Sequence, residues 1–93
     1  MQVYQYKILI NGNLSNKGLG FSCMRMAYEN NISGTLFYES ANSAVIEITG
    51  SEKAAINFIE QCKTINYINE IHTLNKTQTI IKHTDFIMLN QID

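Results

Sequence analysis

The sequence lacks the features that mark several large classes of protein. Seven basic residues stand against eight acidic ones, the net charge is −1, and Arg25 is the only arginine. A nucleic-acid-binding protein would show a basic excess, so we expect no nucleic-acid partner. The chain has no apolar run of about eighteen residues, and its first residues do not resemble a signal peptide. We therefore expect a cytosolic protein with no membrane partner.

Proline is absent, and cysteine and histidine are scarce. Cys23 and Cys62 are far apart, match no metal-ligand spacing and have apolar neighbours in helix-like segments, which predicts buried free thiols. His72 and His83 each stand alone on strand-like stretches. A metal site needs three or four convergent ligands, so we expect no metal and no other cofactor.

The composition that remains is that of a small globular protein. The chain has 93 residues, of which 45% are apolar and 16% are charged. This length leaves room for one hydrophobic core and one domain, spanning residues 1–93.

The first third of the chain predicts a strand, a glycine-rich loop and a helix. Residues 3–11 are rich in β-formers and predict the strand. The loop runs from Gly12 to Gly20, and residues 20–31 predict the helix. The spacing of apolar residues predicts which of them form its buried face: Phe21, Met24, Ala27 and Tyr28.

The middle of the chain predicts a hairpin and a second helix. Residues 35–38 and 44–49 read as strands joined by the polar segment 39–43, and Ser51 is an N-cap candidate for the helix that follows. Alternation places three residues of the second strand on one face: Ala44, Ile46 and Ile48. The predicted apolar stripe of the helix comprises Ala55, Ile56, Ile59 and Cys62, with Phe58 at its margin.

The last third predicts a fourth strand over residues 66–74 and a turn over 76–78. Two short strand pieces, 79–82 and 85–89, close the chain. The resulting order of strand, helix, strand, strand, helix and strand predicts a ferredoxin-like α+β sandwich. In that fold two helices pack on one face of an antiparallel sheet.

The glycine-rich loop resembles that of the acylphosphatase family, G-x-V-Q-G-V-G-F-R, which can be laid on Gly12 to Gly20 without gaps. In the same register Ala27 meets the family's helix alanine, and 31–34 meets the family's G-L-T-G. Gly50 meets the glycine that precedes the second helix. The resemblance implies the acylphosphatase type of the ferredoxin-like fold and the hydrolysis of carboxyl-phosphate anhydrides. Family members hold the phosphoryl group with an arginine at the end of the loop, and an asparagine on the second strand orients water.

This chain departs from the family at both functional positions. The arginine position carries Gly20 in the ungapped register, or Ser22 if the loop is shifted to match the family's G-F, and the asparagine position carries Tyr38. Asn16 replaces a usual glycine, and Lys17 replaces a usual valine. The resemblance therefore implies a degenerate member with no confident catalytic residue.

Two uses of the loop remain open at this point. The first is a binding module without catalysis, which either holds a small anion such as phosphate or serves only as a scaffold for protein contacts. The residues that would form the anion site are Ser15, Asn16, Lys17, Gly18, Leu19 and Gly20. The second is a weakly active acylphosphatase in which loop amides and Lys17 hold phosphate. We expect Tyr38 to pack on the sheet face or its rim, and a homodimer could form through apolar groups near the outer sheet face, at Leu36, Phe37, Val45 and Ile71.

Residues 32–38, with Gly50 and 85–88, also resemble BLUF flavin-sensor domains, which share this fold class. Those sensors use a first-strand tyrosine, a helix asparagine and a third-strand glutamine around the flavin. Tyr6 matches the tyrosine, whereas Ala27 and Ile46 stand at the other two positions. This resemblance implies, as a third hypothesis, a BLUF-like remnant without flavin.

Overall fold

The computed structural model describes residues 3–79 and 85–90 and contains a five-stranded sheet with two helices. The strands are β1 (Val3–Gly12), β2 (Ser33–Ser40), β3 (Ser43–Gly50), β4 (Ile68–Thr79) and β5 (Phe86–Met88). The helices are α1 (Leu19–Glu29) and α2 (Glu52–Cys62). The strand order is β4-β1-β3-β2-β5, as the ferredoxin-like prediction requires for the first four strands.

The sheet is antiparallel except at one edge. β1 pairs with β3 and β4, and β2 pairs with β3, all in antiparallel fashion. β5 pairs in parallel with β2, so the sheet is mixed. The strand piece predicted at 85–89 is therefore confirmed as β5, and it extends the predicted four-stranded sheet by a fifth strand.

The core lies between the helices and one face of the sheet. The predicted row Ala44, Ile46 and Ile48 is completely buried, and Ile46 lies opposite Ile8 on β1 and Leu36 on β2. Apolar side chains at alternate positions thus form a continuous inner face across three strands. Leu36 belongs to this core, so its predicted place on the outer sheet face is wrong.

The predicted buried face of α1 is wrong except at Ala27. The side chains that enter the core are those of Leu19, Cys23, Met26 and Ala27. Phe21 and Tyr28 are largely exposed. Helix α1 carries two apolar stripes, and periodicity alone does not reveal which one faces the sheet.

The apolar stripe of α2 is confirmed at Ala55 and Cys62, and Ile59 packs against the core, but two residues differ from the prediction. Phe58, placed at the margin, is completely buried, whereas Ile56 is half exposed. The N-terminus of the helix is confirmed, because the Ser51 side chain accepts a hydrogen bond from the Ala54 N–H at 3.1 Å.

The turn predicted at residues 76–78 is wrong, because these residues lie inside β4. Residues 75–79 instead pair with residues 3–7 at the start of β1. Of the strand piece predicted at 79–82, Thr79 is the last residue of β4 and 80–82 lie outside the described residues. His83 also lies outside them, and His72 is exposed beside Glu70.

Both cysteines are buried and free, as predicted. The pKa of Cys23 is raised well above its usual value by two causes. The first is a hydrogen bond with the Cys62 thiol, and the second is burial. In the parts of the chain that the structure describes, no cluster of ligating side chains could hold a metal ion. A search of the same parts finds no helix long and apolar enough to cross a membrane.

We expect both thiols to react with Ellman's reagent at least about 100-fold more slowly in the native protein than in guanidinium, because both are buried and access requires local opening. Stopped-flow absorbance with and without denaturant measures this ratio. Rapid native labelling of either thiol would contradict its burial, and Cys23→Ser and Cys62→Ser identify which one reacts.

Candidate functional site

The loop between β1 and α1 is anchored at its start by three backbone hydrogen bonds. Gly12 N–H donates to Asn42 at 3.0 Å, Asn13 N–H to Tyr67 at 3.0 Å, and Leu14 N–H to Ala41 at 2.9 Å. The Leu14 side chain is buried beneath them. The first part of the loop is therefore held between the β2–β3 turn and the segment that precedes β4.

The second part of the loop turns by means of two residues with left-handed backbone conformation. Asn16 has φ 58° and Gly18 has φ 71°. Asparagine tolerates this region better than most residues, so the replacement of a usual glycine by Asn16 is compatible with the turn. Gly18 is the N-cap of α1 and offers no side chain to the helix terminus.

The backbone N–H groups of this second part are only partly used by the loop itself. Residues 15 and 16 form a turn, and residues 17 and 18 lead from it into α1. Asn16, Lys17 and Gly18 are exposed. Lys17 forms no ion pair with the described residues. The loop thus combines backbone donors, one cation and a helix N-terminus, which is a physical basis for anion binding.

The position of Gly20, in the first turn of α1, is closed by Met88 of β5. A Cβ atom at residue 20 would overlap the Met88 sulfur, and Met88 Cγ would lie 2.9 Å away. Gly20 is buried as a result. A side chain at this position, such as the family's arginine, needs Met88 to move first.

Tyr38 also approaches Gly20. Its side chain is only 7% exposed, and the backbone N–H of Gly20 acts as a hydrogen-bond donor toward its phenol oxygen. Burial raises the pKa of Tyr38, and the Gly20 N–H opposes that rise. Asn90 holds the backbone of Tyr38 on both sides, accepting from its N–H at 2.7 Å and donating to its carbonyl at 2.8 Å. Tyr38 therefore packs on the helix-covered face of the sheet, near the start of α1, and its predicted packing on the sheet is confirmed.

Tyr67 is a further aromatic residue at this end of the molecule that sequence reasoning missed. Its hydroxyl is buried and has no hydrogen-bond partner among the described residues. Burial raises the pKa of the Tyr67 phenol, and the nearby Ser22 hydroxyl opposes that rise. Because Tyr67 lies in an irregular segment before β4, no periodic pattern identified it. Ser22, the alternative arginine position, thus lies beside Tyr67.

An open apolar groove lies next to Met88, between α1 and β5. Its volume is about 580 Å³. The groove is lined by Met24, Tyr28, Ile32, Asp85, Phe86, Ile87 and Met88. Asp85 is the one charged residue of this lining. The groove is separate from the loop N–H groups and borders the same edge of the sheet as β5.

Comparison with solved structures supports the acylphosphatase-like fold. Acylphosphatase from Bacillus subtilis superposes with a TM-score of 0.83 at 19% identity, covering 94% of this chain and 99% of that one. Full-length HypF in a phosphate- and nucleotide-bound form gives 0.77 at 24% identity, covering 96% of this chain and 12% of that one. No protein-family model matches the chain, and no curated protein matches it by sequence.

BLUF domains share the fold at lower sequence identity. The BlrP1 BLUF structure gives a TM-score of 0.78 at 10% identity, covering 97% of this chain and 66% of that one. Ala27 and Ile46, at the flavin-binding positions, are both completely buried in the apolar core. Their side chains offer no hydrogen bond to a flavin, so the residues present do not fit one. We expect the purified protein to be colourless.

Proposed function

We propose that this protein is an acylphosphatase-like domain that does not hydrolyse acyl phosphates and that binds a small anion at the loop between β1 and α1. The observation that carries the proposal is the closed position of Gly20. Met88 fills the space where the family's arginine would begin, and Tyr38 engages the Gly20 N–H. A phosphoryl group would therefore find neither the guanidinium nor the water-orienting amide.

The size of the expected loss supports an inactive domain. Removing one preorganised donor from a site that stabilises developing charge costs about 10²–10³ in rate. This chain lacks the two groups that the family uses, and losses of residues that act together are not additive. Lysine is a point charge without the planar fork of arginine, so Lys17 does not restore bidentate phosphate geometry.

The same loop supports weak binding of a small anion such as phosphate. The candidate donors are N–H groups of residues 15–19, and Lys17 adds one positive charge in the exposed segment 16–18. Because the site is solvated and carries a single cation, the dissociation constant should be in roughly the millimolar range.

We expect titration with inorganic phosphate to shift the backbone amide resonances of residues 15–19 in ¹⁵N-correlated NMR spectra. Lys17→Ala should weaken binding about 2–5-fold, since an exposed charge contributes at most about 1 kcal/mol. Lys53→Ala is the matched control, because Lys53 is exposed on α2 and should leave the affinity unchanged. A titration in which no loop amide moves would refute the anion site.

Hydrolysis of benzoyl phosphate tests the catalytic half of the proposal separately. Turnover at the rate of ordinary acylphosphatases would contradict an inactive domain even if phosphate binds at the loop. The exposed, unpaired Lys17 favours one alternative, a weakly active acylphosphatase in which Lys17 and the loop amides hold the phosphoryl group. That alternative requires slow turnover that disappears in Lys17→Ala.

A further inference from the structure

We infer that β5 is a dimerisation edge, at which two copies of this chain join their sheets in antiparallel fashion about a two-fold axis through Ile87. The inference concerns the edge strand β5 and not the loop donors, and it does not depend on anion binding. It begins from the strand order, in which β5 is the last strand at one edge of the described sheet.

The backbone of β5 has one paired side and one open side. On the paired side, the Asp85 carbonyl accepts from Gly34 at 2.9 Å, and the Leu89 N–H donates to Leu36 at 2.8 Å. Because successive residues of a strand direct their N–H and C=O groups to opposite sides, Phe86 and Met88 direct theirs away from β2. Within the described residues, no strand lies beyond them.

The open side is complementary to itself. If two copies of β5 run antiparallel about Ile87, Phe86 of one copy lies opposite Met88 of the other, and the reverse pairing follows by symmetry. Both residues carry outward N–H and C=O groups, so each of the two pairs can exchange two hydrogen bonds. A two-fold interface needs this kind of match between a surface and its own copy.

Exposed apolar side chains surround this edge. Phe21, Met24 and Tyr28 are spaced by three and four residues on the exposed stripe of α1, and Ile87 and Leu89 lie on or just after β5. Their exposed fractions are 73% for Phe21, 38% for Met24, 88% for Tyr28, 53% for Ile87 and 58% for Leu89. Taking about 200 Å² for a fully exposed large side chain, they present roughly 600 Å² in each copy. If all of this surface were covered, two copies would bury at most about 1,200 Å² from these side chains, which reaches the lower bound for a specific interface.

A second copy suits this surface better than it suits the outer sheet face. On that face the apolar row of Phe37, Val45 and Leu9 is bordered by Lys7 and Glu47, and covering those charges has a desolvation cost. The groove beside β5 is lined by apolar residues with Asp85 as its one charge. The edge therefore offers both backbone pairing and an apolar surface.

Sedimentation equilibrium of the full chain should show the mass of two chains. The measurement should extend to about 1 mM, because interfaces of this size can be as weak as micromolar or weaker. Ile87→Lys should shift the dissociation constant at least about 10-fold, since the two-fold axis brings residue 87 of both copies within about 4.5 Å. Leu74→Lys is the matched control, because Leu74 is 52% exposed on β4 at the opposite edge of the sheet, and it should remain dimeric.

Charge pairing across the axis gives the most specific result. An equimolar mixture of Ile87→Lys and Ile87→Glu should form a heterodimer, whereas each variant alone should be weakened. Circular dichroism checks that all variants fold. A wild-type chain that stays monomeric over the whole range would overturn the inference. So would a dimer that Phe37→Lys disrupts and Ile87→Lys leaves intact, which would place the interface on the outer sheet face instead.

Discussion

Replacing Phe58 with alanine should lower the free energy of unfolding by about 3–5 kcal/mol. The side chain is completely buried on α2, and its ring lies 6.2 Å from that of Phe86 on β5. Removing it leaves a cavity between the helix layer and the sheet edge, and the surrounding backbone can close that cavity only in part. Urea denaturation followed by circular dichroism measures the change.

Ile56→Ala is the matched control for this substitution. Ile56 lies on the same helix but is 48% exposed, so its truncation should cost less than about 1 kcal/mol. The periodicity of α2 predicts the opposite ranking, because it places Ile56 in the apolar stripe and Phe58 at the margin. A larger loss for Ile56→Ala than for Phe58→Ala would show that the helix packs with the face that the sequence pattern indicates.

Restoring the family's two side chains should produce acylphosphatase activity only when Met88 is shortened as well. The triple variant Gly20→Arg, Tyr38→Asn and Met88→Ala should hydrolyse benzoyl phosphate at least about 100-fold faster than the wild type, as expected for a regained charge-stabilising group. Without Met88→Ala, the arginine overlaps the Met88 side chain, and overpacking should cost about 1–3 kcal/mol of stability.

The loop register can be tested with the same assay. Ser22→Arg with Tyr38→Asn and Met88→Ala places the arginine at the alternative position, beside Tyr67. This variant should stay inactive. Activity in the Ser22 variant and none in the Gly20 variant would show that the shifted register is the functional one.

A double-mutant cycle on the stability of Gly20→Ala and Met88→Ala should show coupling between the two positions, because the two side chains share one space.

The strand pattern could be predicted well from the sequence, because alternation on a sheet has only two outcomes. Ala44, Ile46 and Ile48 are apolar where their neighbours Glu47 and Thr49 are polar, so the buried face of β3 follows directly. The N-cap at Ser51 could be predicted as well, because it depends only on the Ser51 side chain and on the N–H of the residue three positions later. These features depend on residues close in the chain.

The candidate site was predictable only in its outline. The glycine-rich loop, its place between β1 and α1 and the missing arginine and asparagine are visible in the sequence. That Met88 closes the position of Gly20 is not, because 68 residues separate them and only the parallel pairing of β5 with β2 brings them together. Tyr67 escaped attention for the same reason, as its contacts with Ser22 and Cys23 join segments far apart in the chain.

By itself, the sequence determined the order of strands and helices and a glycine-rich loop without the arginine that acylphosphatases carry, because local spacing and composition encode these. Tertiary structure alone decided which of two apolar stripes of α1 is buried, and it left Phe21 and Tyr28 on the surface beside the open edge of β5. A helix can rotate about its axis without changing its sequence pattern, and only packing against a particular sheet selects one rotation. The same packing placed Met88 and Tyr38 next to Gly20, which local sequence spacing does not reveal.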